Sequence, residues 1–166
     1  MCIRDRVNLQ LAALVVIDVF LLPRRWRGVG VGVATGFKLT PGIFALWYLV
    51  TGQFKAALRA AAAGLVTIAI GLAVMPTASW EYWTHYMLTP NRLGGLTWAG
   101  NQSLSGMLLR LGHGNLTLVW LVLVALCCAL AGIASRRLWQ EGGADQVWSL
   151  LCAGLCGCLV LSLIHI

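Results

Sequence analysis

Five apolar runs, at residues 9–22, 29–50, 60–75, 116–134 and 147–161, dominate this chain, and any fold it adopts must place them out of water. None alternates strictly between apolar and polar residues as a barrel strand does, and they divide the chain into membrane spans, the first of them short for a full crossing. Backbone groups in lipid have to be satisfied within the segment, so helices are the expected form. Charged residues make up 10% of the 166, against roughly 25% in an ordinary soluble domain. The expected fold class is all-α, a polytopic transmembrane helical bundle with the lipid bilayer as its main partner.

The net charge of +7 would point to nucleic acid in a soluble protein. Here the basic residues cluster just outside apolar runs, so they report topology, and no nucleic-acid partner is expected. Arg24, Arg25 and Arg27 form one cluster, Lys55 and Arg59 a second, Arg136 and Arg137 a third. The positive-inside rule puts all three on the cytoplasmic side, which leaves residues 77–115 as an outer-face loop. That loop opens with Trp80, Tyr82, Trp83 and Tyr86, spaced as interface anchors on a short amphipathic helix; stacking on an acceptor sugar is the sharper reading. Asp18 reads as an interfacial acid paired with the arginines that follow it.

Residues 29–50 pose a topological problem. Basic clusters flank them on both sides, which requires an even number of crossings within a stretch long enough for one. Two half-length helices, 29–37 outward and 43–50 returning, satisfy the rule; a single helix kinked at Pro41 is the alternative. Pro41-Gly42 is a strong breaker, and proline disfavours helical geometry at Thr40. Lys38 falls at the break. A charge at bilayer depth costs about 2.5–3.5 kcal/mol even on lenient insertion scales, so such a residue faces a partner or a wet cavity. Lys38 is therefore a candidate site residue, with snorkelling to the interface or pairing with a carboxylate as the plainer account.

Little other chemistry is visible. There is no Walker loop, no dinucleotide fingerprint, no nucleophile elbow and no histidine pair with metal spacing, so neither cofactor nor metal is expected. Cys127, Cys128, Cys152, Cys156 and Cys158 read as small packing residues. Among the carboxylates only Glu81 is expected on the outer face, a poor general base on its own. Asn101, Gln102, Ser103, Ser105 and Arg110 form a polar group suited to a polyol or phosphate, although a helix cap explains Ser103 equally. The first six residues, and residues 161–166, resemble read-through of a sequencing adapter. The natural segment is then residues 7–160 of a longer membrane protein.

Three ordered segments carry a resemblance: Val7-Asn8-Leu9, Gly36-Phe37-Lys38-Leu39-Thr40-Pro41 and Gly100-Asn101-Gln102-Ser103-Leu104. With the aromatic loop and Arg110, they resemble glycosyltransferase family 87, the polyprenyl-phosphate-mannose-dependent α-mannosyltransferases of actinobacterial type. The resemblance covers nearly all of residues 7–160. It implies part of a C-type glycosyltransferase fold, in a multi-pass plasma-membrane enzyme that passes mannose from a polyprenyl-phosphate donor to a glycolipid or glycan acceptor on the outer face. It also implies that the catalytic acidic residue lies upstream of Val7, so no catalytic residue is assigned within the chain. A Ser-Pro-x-Ser-Trp segment followed by histidines is implied where Leu163 begins, and His165 does not stand for one of them. Lys38 becomes a donor-phosphate contact. Thr40, Asn101, Gln102, Ser103 and Arg110 become weaker candidates for lining the donor or acceptor cleft. The competing reading is a transporter or flippase that binds an anionic or lipid-linked substrate at Lys38 on a broken helix.

Overall fold

A computed structural model describes residues 3–86, 104, 107–108 and 117–161. Among them every regular element is helical and none is a strand. Residues up to Ser79 form one compact unit and those from Trp80 a second.

In the first unit, α1 (Ile3–Val16) runs into a single π-helical turn, Ile17–Leu21, closed by the Leu22 amide on the Ile17 carbonyl at 3.0 Å. Pro23, which has no amide hydrogen, follows at once. Two short helices come next, α2 (Val29–Phe37) and α3 (Gly42–Val50), then the long α4 (Phe54–Val74). The break between α2 and α3 falls where Pro41 predicts it.

The two short helices fold back on one another. At one end Gly42, opening α3, faces the Thr35 methyl near the close of α2. At the other, the Tyr48 hydroxyl near the end of α3 reaches Asp18, whose carboxylate holds the amides of Gly28 and Gly30 at the start of α2. Those contacts require an antiparallel pair, so the hairpin expected from the charge pattern is what forms, rather than one kinked helix.

Small residues set how α2 meets α4. A Cβ on Gly28 or Gly32 would collide with the backbone carbonyls of Ala56 and Ala60, and one on Gly36 would lie 2.6 Å from the Thr67 side chain. Gly28 also carries φ +99°, a conformation side-chain-bearing residues seldom adopt. The repeat of glycine every fourth residue thus places one face of α2 directly on the Ala56, Ala60 and Gly64 face of α4, the close-approach packing of membrane helices. The opposite face of α4 exposes Leu58, Leu65, Val66, Ile70 and Val74. In a water-soluble bundle the large residues turn inward; here alanine and glycine are inside and leucine, valine and isoleucine outside, as lipid permits. At 21 residues α4 is long enough to cross a bilayer.

After α4 come α5 (Pro76–Glu81) and a second π-helical turn, Tyr82–Tyr86, so the aromatic stretch is helical as expected, in two short pieces rather than one. The second unit contains α6 (Thr117–Glu141) and α7 (Asp145–Leu161), joined by a turn in which Gly142 and Gly143 both take positive φ. The 25-residue α6 is the second helix long and apolar enough to span, and it carries Arg136 and Arg137 within its last turns rather than beyond its end. Ser135 and Ser149, both buried, hydrogen-bond reciprocally: each hydroxyl donates to the other's backbone carbonyl, at 3.1 and 2.6 Å. Cys156 is buried with its sulfur 3.9 Å from those of Cys127 and Cys128, consistent with thiols used as small packing groups.

Candidate functional site

The α2–α3 turn places Lys38 at the C-cap of α2, its amide donating to the Ala34 carbonyl at 3.0 Å while its backbone turns extended. A cation there meets the negative end of the α2 dipole. The half-buried side chain extends to α1, where its ammonium donates to the Asn8 side-chain oxygen at 3.0 Å. Both partners are reachable from outside the unit, since residues 7–10 of α1 are exposed. The N-terminus of α3 opens at the same turn, with the amides of Gly42, Ile43 and Phe44 turned back onto the carbonyls of Leu39, Thr40 and Pro41.

Thr40 lies two residues beyond Lys38. Its hydroxyl oxygen is buried and has no hydrogen-bond partner among the described residues. A buried hydroxyl left unsatisfied costs about 1–3 kcal/mol, which makes it a natural acceptor or donor for something that enters the turn. A lysine ammonium and an unpartnered hydroxyl within three residues form a small polar site suited to an anion such as a phosphate monoester or diester.

The base of the hairpin is held by a group the sequence reading assigns differently. Asp18 is wholly buried, not interfacial, and among the described residues none of its hydrogen bonds goes to an arginine. Its carboxylate accepts from the Gly28 amide at 2.7 Å, the Gly30 amide at 2.8 Å and the Tyr48 hydroxyl at 2.6 Å. The π-helical turn points Asp18 inward, and the amides at the start of α2 have no intrahelical acceptor, so the acid serves as their cap. The arginines use backbone carbonyls instead. Arg27 donates to Leu22 at 3.3 Å and Arg59 to Arg25 at 2.5 Å, which brings the first two basic clusters together.

Of the residues expected at the site, Lys38 and Thr40 share the turn, whereas Asn101, Gln102, Ser103 and Arg110 lie outside the described residues. Asn8 enters the sequence reading only as a member of the Val7-Asn8-Leu9 segment, and that membership was the available signal. Among the described residues no group of three or more histidine, cysteine or acidic side chains is arranged to hold a metal.

The sequence model of glycosyltransferase family 87 matches residues 3–162. The chain is 35% identical over 165 residues to a polyprenol-phosphate-mannose-dependent alpha-(1-2)-phosphatidylinositol mannoside mannosyltransferase of Mycolicibacterium smegmatis, covering 93% of this chain and 37% of the relative. The protein of the same description from Mycobacterium tuberculosis is 33% identical over 160 residues, covering 93% of this chain and 36% of that protein. A Mycolicibacterium smegmatis enzyme described as acting on phosphatidylinositol pentamannoside is 33% identical over 147 residues, 83% of this chain and 34% of its own length. The chain thus spans little more than a third of the curated relatives it matches. No solved structure matches it.

Proposed function

We propose a function from one premise: the chain belongs to glycosyltransferase family 87. Residues 7–160 belong to a multi-pass plasma-membrane enzyme of C-type glycosyltransferase architecture. The whole enzyme moves mannose from a polyprenyl-phosphate donor to a mannosylated phosphatidylinositol, the acceptor class its relatives' descriptions print. The transport reading draws no support from the family.

The acceptor hydroxyl attacks the anomeric carbon, the bond from that carbon to the phosphate oxygen breaks, and the polyprenyl phosphate departs with inversion. The hydroxyl proton goes to a base outside this segment. Within it, Lys38 places a positive charge where negative charge accumulates on the leaving phosphate, the kind of preorganised electrostatic contact worth several kcal/mol in a site that excludes water. Thr40 offers its unpartnered hydroxyl to the same phosphate. Asn101, Gln102, Ser103 and Arg110 line the donor or acceptor cleft from the outer-face loop 77–115.

The observation that carries this reading is the Lys38 ammonium at the break between α2 and α3, donating to the Asn8 side chain, with the unpartnered Thr40 hydroxyl two residues on. The test is transfer by the full-length protein, reconstituted in vesicles, from polyprenyl-phosphate-mannose to phosphatidylinositol mannoside. Mannolipid product is expected, with none from a nucleotide-sugar donor. Movement of the donor lipid across the bilayer without glycosidic product would overturn it in favour of a flippase.

A further inference from the structure

The end of the first unit where α4 begins gathers more positive charge than the fold itself uses. The turns over residues 23–27 pack beside the first turns of α4: Arg59 crosses to the Arg25 carbonyl at 2.5 Å, and Gly28 leaves no room for a Cβ against the Ala56 carbonyl. Five cations thereby share one end of the unit, Arg24, Arg25 and Arg27 from the turns and Lys55 and Arg59 from α4. Arg24, Arg25 and Lys55 are exposed, while Arg27 and Arg59 are half-buried and fixed on the Leu22 and Arg25 carbonyls. Asp18, the acid beside Gly28, is wholly buried and bonded to Gly28, Gly30 and Tyr48; among the described residues no acid hydrogen-bonds any of the five. Like charges gathered this way repel, and backbone carbonyls offset that only in part. The Arg59 Nε is itself buried without a hydrogen-bond partner among the described residues. Guanidinium groups so placed are suited to phosphate oxygens, which they bind through charge-assisted, often forked, hydrogen bonds.

The position of this end along α4 decides the source of the phosphate. Because α4 is long and apolar enough to span, its first residues stand at the membrane surface. Trp26 and Phe54, each next in sequence to cations of the cluster, are more than half exposed there. Aromatic rings at headgroup level, with arginine and lysine around them, hold a protein end against phospholipid. A soluble anion would use the cations but not the rings.

We propose that the turns over residues 23–27 and the start of α4 form a binding site for the phosphate of an anionic phospholipid headgroup. It is separate from the Lys38 turn, which lies at the other end of α2, and does not depend on the role of Lys38.

The test uses the full-length protein that carries this segment, purified in detergent and titrated with phosphatidylglycerol or with phosphatidylcholine of the same acyl chains, with retained lipid counted by native mass spectrometry. Wild type is expected to hold phosphatidylglycerol about tenfold more tightly, a preference that shrinks as salt rises. Arg25→Gln/Lys55→Gln changes two exposed side chains and leaves the Arg25 carbonyl in place. At about fivefold for each surface charge, it is expected to weaken phosphatidylglycerol about tenfold or more while phosphatidylcholine stays put. Arg59→Lys keeps the charge but loses the fork, and is expected to fall between the two. Arg136→Gln/Arg137→Gln removes two exposed charges from the other unit and is expected to change the affinity less than about twofold.

Equal retention of the two lipids by wild type overturns the proposal, as does a preference that high salt leaves intact; neither measurement needs a variant. An unchanged affinity in Arg25→Gln/Lys55→Gln overturns it too, and so do equal losses in the two double variants, which make net charge rather than this patch the cause. Displacement of the lipid by glycerol phosphate at matched concentration assigns the cations to a soluble phosphate ester and overturns the lipid site.

Discussion

The Tyr48 hydroxyl donates to the Asp18 carboxylate at 2.6 Å, and the same carboxylate holds the first amides of α2, so one buried acid ties both arms of the hairpin at its base. The arms meet again at Gly42 and Thr35 beside the turn. The position of Lys38 is therefore fixed from the far end of the structure as well as by its own contacts.

Replacing Asp18 by alanine strands two buried amides and a hydroxyl, each costing about 1–3 kcal/mol, so Asp18→Ala is expected to destabilise the fold by about 3 kcal/mol or more. Asp18→Asn keeps one acceptor oxygen and turns an amide nitrogen toward donors, an intermediate loss. Tyr48→Phe removes one bond and is expected to cost about 1 kcal/mol. Thermal unfolding of the purified proteins in detergent checks the order Ala, Asn, Phe from largest loss to smallest. An Asp18→Ala protein as stable as wild type would refute the cap.

The α2–α4 seam makes a second stability prediction. Gly32→Ala inserts a methyl into the Ala60 carbonyl and should cost about 1–3 kcal/mol by forcing the helices apart, with Gly32→Val worse. By contrast Gly52→Ala meets open space, and its cost comes only from its positive φ. Melting temperatures that rank Gly52→Ala below Gly32→Val would contradict the close packing.

Much of this was legible in the residues. Pro41-Gly42 marked the break, and the basic clusters on either side demanded a return path. Asp18 was not legible, because its role depends on a π-helical turn that periodicity does not announce and on Tyr48, 30 residues away. Its neighbours Arg24, Arg25 and Arg27 made ion pairing the natural guess, but guanidinium groups at the rim can find backbone carbonyls and water, whereas buried helix-start amides need an acceptor from the protein. Asn8 was legible only through the Val7-Asn8-Leu9 resemblance, because a neutral residue on an exposed stretch does not announce its partner.

Topology gives a third prediction. With residues 77–115 on the outer face, a cysteine introduced at Gly94 in a background free of native cysteines is expected to react with a membrane-impermeant maleimide added to intact cells. Labelling only after the cytoplasmic side is opened would reverse the assignment of all three basic clusters.

The 166 residues alone are expected to transfer no mannose, since the base for the acceptor hydroxyl lies outside them in this account. Mannolipid formed by the purified chain would place the base within it, with Glu81 the first residue to replace.

Contact between Lys38 and the donor phosphate is tested by donor KM for Lys38→Ala and Lys38→Arg in the full-length protein. Alanine is expected to raise donor KM about tenfold or more while acceptor KM stays put, the loss of a charge-assisted contact, and arginine to recover part of it. A Lys38→Ala enzyme with wild-type turnover and an unchanged donor KM would contradict it.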